Sequence, residues 1–161
     1  MKTILFTLKD TAKKANGSGG GGCFFVKNLS KFLTEQGYNV VYKLQDSIDL
    51  IIVIDPRKNS TNNYSIDQIL EYKNKNPNVK LLHRVNECDS KREKSINIEP
   101  ILVKTMNSAD HVVFITNWLR NHFIHTYSLN VSTSVIRNGC NQEFFNYNNN
   151  KNNKQLSNPI K

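Results

Sequence analysis

No apolar run in this sequence approaches the ~20 residues that a helix needs to span a bilayer, so no membrane-spanning segment is expected. Cysteine is scarce: Cys23, Cys88 and Cys140 are odd in number, widely spaced and without a Cys-x-x-Cys pair. That usage argues against a disulfide framework or a structural zinc site and fits a reducing, cytoplasmic setting. The opening Met1–Leu8 stretch has no small-residue cleavage site, and Asp10, Lys13 and Lys14 follow at once. It reads as a first strand rather than a signal peptide. No Gly-Lys-Ser/Thr follows the glycines, which excludes a P-loop, and no Gly-x-Ser-x-Gly nucleophile turn occurs. His122 and His125 fall on a predicted helix without an acidic or cysteine partner, so no metal site is read. None of the three cysteines is nominated as a nucleophile.

Acidic residues are also short in supply: 13 Asp and Glu stand against 22 Lys and Arg, a formal net charge of +9. Two sources fit that excess, a solvated Lys- and Asn-rich surface or attraction to anions such as a sugar nucleotide, an anionic lipid or nucleic acid. No pattern of interleaved aromatic and basic residues is present, so a nucleic-acid partner is not expected, while peripheral membrane contact stays open. At 161 residues the chain is one domain, long enough to bury a real core.

What the sequence does contain is an alternation of strands and helices. Residues 2–8 form the first predicted strand. A helix follows from Cys23 to Gln36, with Phe25, Leu29, Phe32 and Leu33 at helical spacing and Gly37 as its stop. Val40–Tyr42 is a second strand. Leu50–Ile54 is an unbroken apolar run of the kind found in a parallel strand covered on both faces. Ser65 and Gln68 make a capping box ahead of a helix reaching about Lys73. Val79–Val85 is the fourth strand, and Asn86–Asn97 is polar loop. A helix carrying Ile98, Ile101, Leu102 and Met106 tolerates Pro100 in its first turn. A fifth strand at His111–Ile115, a helix marked by Trp118, Leu119, Phe123 and Tyr127, and a sixth strand at Ser134–Arg137 complete the series. The pattern predicts an α/β, Rossmann-like, doubly wound parallel sheet with helices on both faces. Residues 1–147 form this domain, and the polar Asn- and Lys-rich residues 148–161 form a tail or linker that cannot bury apolar area.

In such a sheet ligands sit at the carboxyl ends of the strands. The loop after the first strand holds Gly17, Gly19, Gly20, Gly21 and Gly22. Glycines let the backbone approach a ligand, and the helix that follows offers free N–H groups to an anion. A phosphate there is physically reasonable, as is a merely flexible loop. Gly17-x-Gly19-x-x-Gly22, with Asp46 downstream, also fits a dinucleotide fingerprint. Eight residues separate the strand from the first glycine, however, whereas that fingerprint begins almost at the strand. After the fourth strand, His83-Arg84-Val85-Asn86-Glu87-Cys88-Asp89 concentrates a cation, an amide and two carboxylates where a rigid scaffold displays reactive groups. Its alternative role is a solvated loop whose charges pair among themselves.

Ala109-Asp110 with the apolar strand and Thr116, followed by Val135-Ile136-Arg137-Asn138-Gly139-Cys140-Asn141 and Phe144-Phe145, resembles the end of the first domain of family 4 retaining glycosyltransferases. That family shows Ala-Asp, an apolar strand, Ser or Thr, and later Val-Ile-Pro-Asn-Gly-Val-Asp with Phe nearby. Leu29, Leu33 and Gly37-Tyr38-Asn39-Val40 match its pattern after the glycine loop. Arg137 and Asn141 depart from it, standing where proline and aspartate are usual. The resemblance implies half of a two-domain GT-B fold, with Gly19, Gly20, Gly21 and Gly22, Thr116, Asn138 and Gly139 at the substrate cleft. His83, Arg84 and Asn86 would hold acceptor hydroxyls or an anion, and Glu87 or Asp89 would orient or deprotonate a hydroxyl.

The implied reaction passes a hexose from a nucleotide sugar to a hydroxyl acceptor with retained configuration, with no cofactor besides that donor and metal dispensable. The implied partner is a separate or missing donor-binding domain with a Glu-x7-Glu pattern. None follows Phe145, so the chain alone is expected to have little or no activity. A non-catalytic α/β binding module or degenerate remnant is the alternative, with a nicotinamide-dependent oxidoreductase behind it. The geometric expectation is that the glycine turn and the Asn138–Gly139 bend border one crevice.

Overall fold

The structure of the protein, a computed structural model, describes residues 1–9, 21–59, 61–91 and 97–139. Six strands form one sheet: β1 (Thr3–Phe6), β2 (Asn39–Val41), β3 (Leu50–Val53), β4 (Lys80–Val85), β5 (His111–Phe114) and β6 (Thr133–Val135). Between them run four helices: α1 (Gly21–Glu35), α2 (Ile66–Lys75), α3 (Glu99–Ser108) and α4 (Asn117–Tyr127). Every strand pairing is parallel, in the order β2-β1-β3-β4-β5-β6. The expected Rossmann-like α/β sheet is therefore what this chain forms. No helix among the described residues is long and apolar enough to cross a membrane.

Local signals act where the residues place them. Ser65 accepts from the Gln68 N–H and Gln68 returns a bond to Ser65, closing the capping box of α2. Gly37 takes φ +82°, the left-handed turn that ends α1. Pro100 sits in the first turn of α3, where its missing N–H costs nothing. Several boundaries differ from the sequence expectation: β1 spans Thr3–Phe6 rather than residues 2–8, α2 reaches Lys75 rather than about Lys73, and β6 spans Thr133–Val135 rather than Ser134–Arg137. Helix α1 begins at Gly21 rather than Cys23, because helix formation needs a hydrogen-bond ladder and not only apolar side chains. Within the predicted loop 86–97, Asp89–Lys91 winds a short 3₁₀ turn. The predicted tail at 148–161 lies outside the described residues.

The strand order explains how the helices are distributed. From β1 the chain moves one way to β2, then crosses back and proceeds the other way from β3 to β6. Parallel crossovers are right-handed, so reversing the direction of travel moves the helices to the opposite face. Helix α1 packs alone on one face through Val26, against Ile4, Phe6, Leu8, Ile52 and Ile54. On the other face Ile66 and Ile69 of α2 cover Leu5, Ile51, Val53 and Leu81. Leu102 and Met106 of α3 and Leu119 and Phe123 of α4 cover Val85, Val112 and Phe114. The α1 face thus lacks a helix over β4, β5 and β6 among the described residues.

Asp110, the acidic member of the Ala109-Asp110 pair, works at the amino-terminal rim, away from the strand ends expected to hold a ligand. Its carboxylate accepts from the Leu81 N–H at 2.8 Å, from Lys73 at 2.5 Å and from Lys80 at 3.2 Å, joining α2, β4 and β5. Partial burial raises its pKa, but these donors outweigh burial and hold it at about 2, against an ordinary 3.8. A depressed folded pKa gives stability that is complete above about pH 4 and fades as pH falls through about 2. Asp110→Ala is expected to lose about 1–3 kcal/mol in urea denaturation at neutral pH. The gap from the parent should close in strong acid, and equal stability at neutral pH would show the carboxylate to be idle.

Candidate functional site

Side chains alternate across a strand, so Leu82 and Arg84 of β4 face the α1 side while Leu81, His83 and Val85 face α2 and α3. On the half-covered α1 face lies a cavity of about 940 Å³. Gly21 at the start of α1 borders it, as do Asn138 and Gly139 after β6. Arg84 and Asn86 from the β4 end line it as well, so Gly21 and the Asn138–Gly139 segment border one crevice, while Gly17, Gly19 and Gly20 lie outside the described residues. The floor is apolar, with Ile52, Leu82, Val113 and Ile115. Phe24 and Ile136 line it too, and they are 52% and 62% exposed.

Arg84 is the central group. Its side chain is nearly buried, its guanidinium lies 3.9 Å over the Phe25 ring, and Nη2 donates to Asn138 Oδ1 at 2.7 Å. Nη1 is buried and has no hydrogen-bond partner among the described residues. Burial lowers the Arg84 pKa from its ordinary value. Desolvating a cation costs several kcal/mol, whereas a desolvated cation–π contact returns about 2 kcal/mol. One hydrogen bond to a charged group adds about 1.5–3 kcal/mol. These two contacts offset much of the cost, and the unpartnered Nη1 is left able to donate to an anion.

The remaining sequence-selected residues fall in different places. Gly22 packs against the sheet: a Cβ there would meet Ile54 at 3.4 Å, so the residue marks a close approach of α1 to β3. Thr116 caps α4, accepting from the Leu119 N–H at 3.1 Å. Gly19 and Gly20 lie outside the described residues, as do Cys140, Asn141, Phe144 and Phe145. Glu87 accepts from Arg57 Nη2 at 3.0 Å, and the same Arg57 binds Asp55. Asp89 accepts from the Glu99 N–H at 3.0 Å, at the start of α3. Neither Glu87 nor Asp89 is among the residues lining the cavity. Phe25 was legible only as part of the α1 apolar stripe, and Arg57 carried no pattern; both hold charged groups at the carboxyl rim.

His83 is fully buried on the opposite face from Arg84, paired in register with Val53 and Val112. Neither ring nitrogen has a partner among the described residues. Burial drives its pKa down to about 3, with Asp55 pulling the other way. It is a neutral core residue. Strand alternation separates it from Arg84, although the two are adjacent in sequence.

A second cluster corrects the expectation that His122 lacks acidic or cysteine partners. Cys88 Sγ, a Glu99 carboxylate oxygen and a His122 ring nitrogen all lie within 4.8 Å of one another. Three separate segments contribute these groups, so spacing along the chain could not reveal them. Glu99 Oε1 bonds to His122 Nε2 at 3.0 Å and accepts from the Asp89 N–H at 2.9 Å, while Tyr127 donates to Oε2. Burial raises the Glu99 pKa, but the donors from Tyr127, His122 and Asp89 outweigh burial and leave it below its ordinary value.

No protein-family model matches the sequence, and no curated protein matches it.

Because His83 is neutral when folded, the unfolded chain binds an extra proton between about pH 6.5 and about pH 3. Stability from this group is full above about 6.5 and falls by about 1.4 kcal/mol per pH unit below it. Relative to the parent, His83→Leu should lose this slope, a difference of about 2 kcal/mol between pH 7 and pH 5 in urea denaturation. Parallel pH profiles would contradict a neutral buried imidazole.

Proposed function

We propose that this chain is the acceptor-side domain of a retaining glycosyltransferase, its cavity receiving a hydroxyl acceptor that carries an anionic group. The observation that carries the reading is Arg84, nearly buried at the cavity, held by Phe25 and Asn138 and with Nη1 unpartnered. A parallel sheet presents ligands at its carboxyl rim, and Arg84, Asn86 and Asn138 converge there. Gly21 opens α1 beside them, and free N–H groups of a helix start favour negative charge. The family resemblance supplies the reaction: sugar transfer from a nucleotide sugar whose pyrophosphate would lie near the α1 start.

The lining narrows the acceptor class. Phe24, Ile52, Val113 and Ile136 offer apolar surface beside a small polar group set. An acceptor with an apolar body and an anionic head suits both parts. Arg84 would take the head, Asn86 and Asn138 would orient hydroxyls, and the aliphatic floor would exclude water from the body. Glu87 is engaged by Arg57 and Asp89 by the α3 start, so deprotonation of the acceptor by either would require release from that partner. That engagement favours a second reading, a binding module that holds the same amphipathic anion without chemistry.

Thermal unfolding in the presence of alkyl phosphates, sugar phosphates, nucleotide sugars and NAD tests the site. At a ligand concentration near 100 Kd a site-bound anion adds about 2.7 kcal/mol, equivalent to roughly 5–10 °C for a domain of this size. An alkyl phosphate is expected to raise the midpoint, and Arg84→Ala is expected to abolish the rise. Stabilisation by NAD alone, or an equal response in Arg84→Ala, would overturn the reading.

A further inference from the structure

We propose that Cys88, Glu99 and His122 form a binding site for Zn²⁺, apart from the cavity, with the fourth position left to water. The three ligand atoms come from the loop after β4, the first residue of α3 and the second turn of α4, and they converge within 4.8 Å of one another. One sulfur, one imidazole nitrogen and one carboxylate oxygen make a borderline-soft set that suits zinc better than magnesium or calcium, which favour oxygen. Three protein ligands plus water is the arrangement of an exchangeable zinc site rather than a closed structural one.

Independent features point the same way. Tyr127 donates to Glu99 Oε2, leaving Oε1 turned toward His122. The Trp118 ring stacks on His122 with centroids 5.6 Å apart and planes 7° apart, fixing the imidazole's orientation. These contacts have the form of the outer shell that holds metal ligands in place. The thiolate and the carboxylate together carry two negative charges, which a divalent ion neutralises with His122 uncharged. Cys88 and Glu99 are buried, while the His122 side chain keeps 15% exposure. Loading releases the Cys88 thiol proton to solvent, and the ion takes the place of the hydrogen on His122 Nε2 beside Glu99 Oε1, that proton passing to Nδ1 so that the imidazole stays neutral.

The site is tested by titrating the full chain with Co²⁺ and following the near-ultraviolet sulfur-to-cobalt charge-transfer band, then displacing Co²⁺ with Zn²⁺. The expected result is one equivalent bound with a sulfur band that zinc abolishes. A Cys23→Ser, Cys140→Ser double variant, which spares all three ligands, should keep the band, and Cys88→Ser should lose it. Tyr127→Phe should retain the band and weaken affinity by about tenfold or more. Circular dichroism of each variant reports folding, and the double variant decides the matter even if Cys88→Ser fails to fold. No stoichiometric uptake would overturn the proposal and leave the cluster as a hydrogen-bond junction. Uptake without a sulfur band, or a band lost in the double variant, would overturn it equally.

Discussion

A guanidinium placed on the inner face of a β-sheet is the constraint around which this molecule is arranged. Arg84 projects from the middle of the sheet toward a region of Ile52, Leu82 and Val113, where an uncompensated charge costs several kcal/mol. The fold meets that cost in part, by a ring from α1 and an amide from the segment after β6. Those two contacts also tie together elements far apart in sequence, since Phe25, Arg84 and Asn138 belong to the beginning, middle and end of the described chain. Losing Arg84 would therefore affect both the cavity's charge and the closeness of its two rims.

The space around Arg84 follows from topology. Right-handed crossovers on a sheet that starts near one edge send three helices to one face and one to the other. A parallel sheet is ordinarily covered on both sides, and here β4, β5 and β6 carry no helix on the α1 side among the described residues, leaving Leu82 and Val113 at the cavity. The same reversal of direction creates the switch point between β1 and β3, where α1 and α2 diverge to opposite faces. One handedness rule thus accounts for the place of the cleft. The other face is densely filled, and His83 illustrates the contrast. One residue before Arg84, it is enclosed in the packed layer and holds its proton weakly.

Much of the fold was legible because its signals are local. The apolar runs at 3–6, 50–53 and 80–85, the Ser65–Gln68 box, Pro100 and Gly37 each act within a few residues, and each appears where the sequence places it. The start of α1 was less legible, since Gly21 and Gly22 carry no helical preference, and only Gly22 lies close against Ile54 and Leu8. At the site, Arg84, Asn86, Asn138 and Gly139 could be selected from strand ends and the family pattern. The exclusion of His83 from that group depends on strand parity, a rule available in the sequence. By contrast, the Arg57 link to Glu87 and the convergence of Cys88, Glu99 and His122 arise from tertiary neighbours 30, 11 and 23 residues apart. Asp110 gives the clearest lesson about motifs. A residue that contributes to the glycosyltransferase resemblance fastens α2, β4 and β5 at the rim opposite the cavity.

The central claim is that Arg84 and the start of α1 form one anion-receiving crevice, and side-chain NMR of the isotope-labelled chain tests it most directly. On addition of an alkyl phosphate, the Arg84 Nε–Hε signal and the amide signals of Gly21 and Asn138 should move together and saturate at one equivalent. Signals at those three residues that stay fixed while others drift without saturation would contradict the claim.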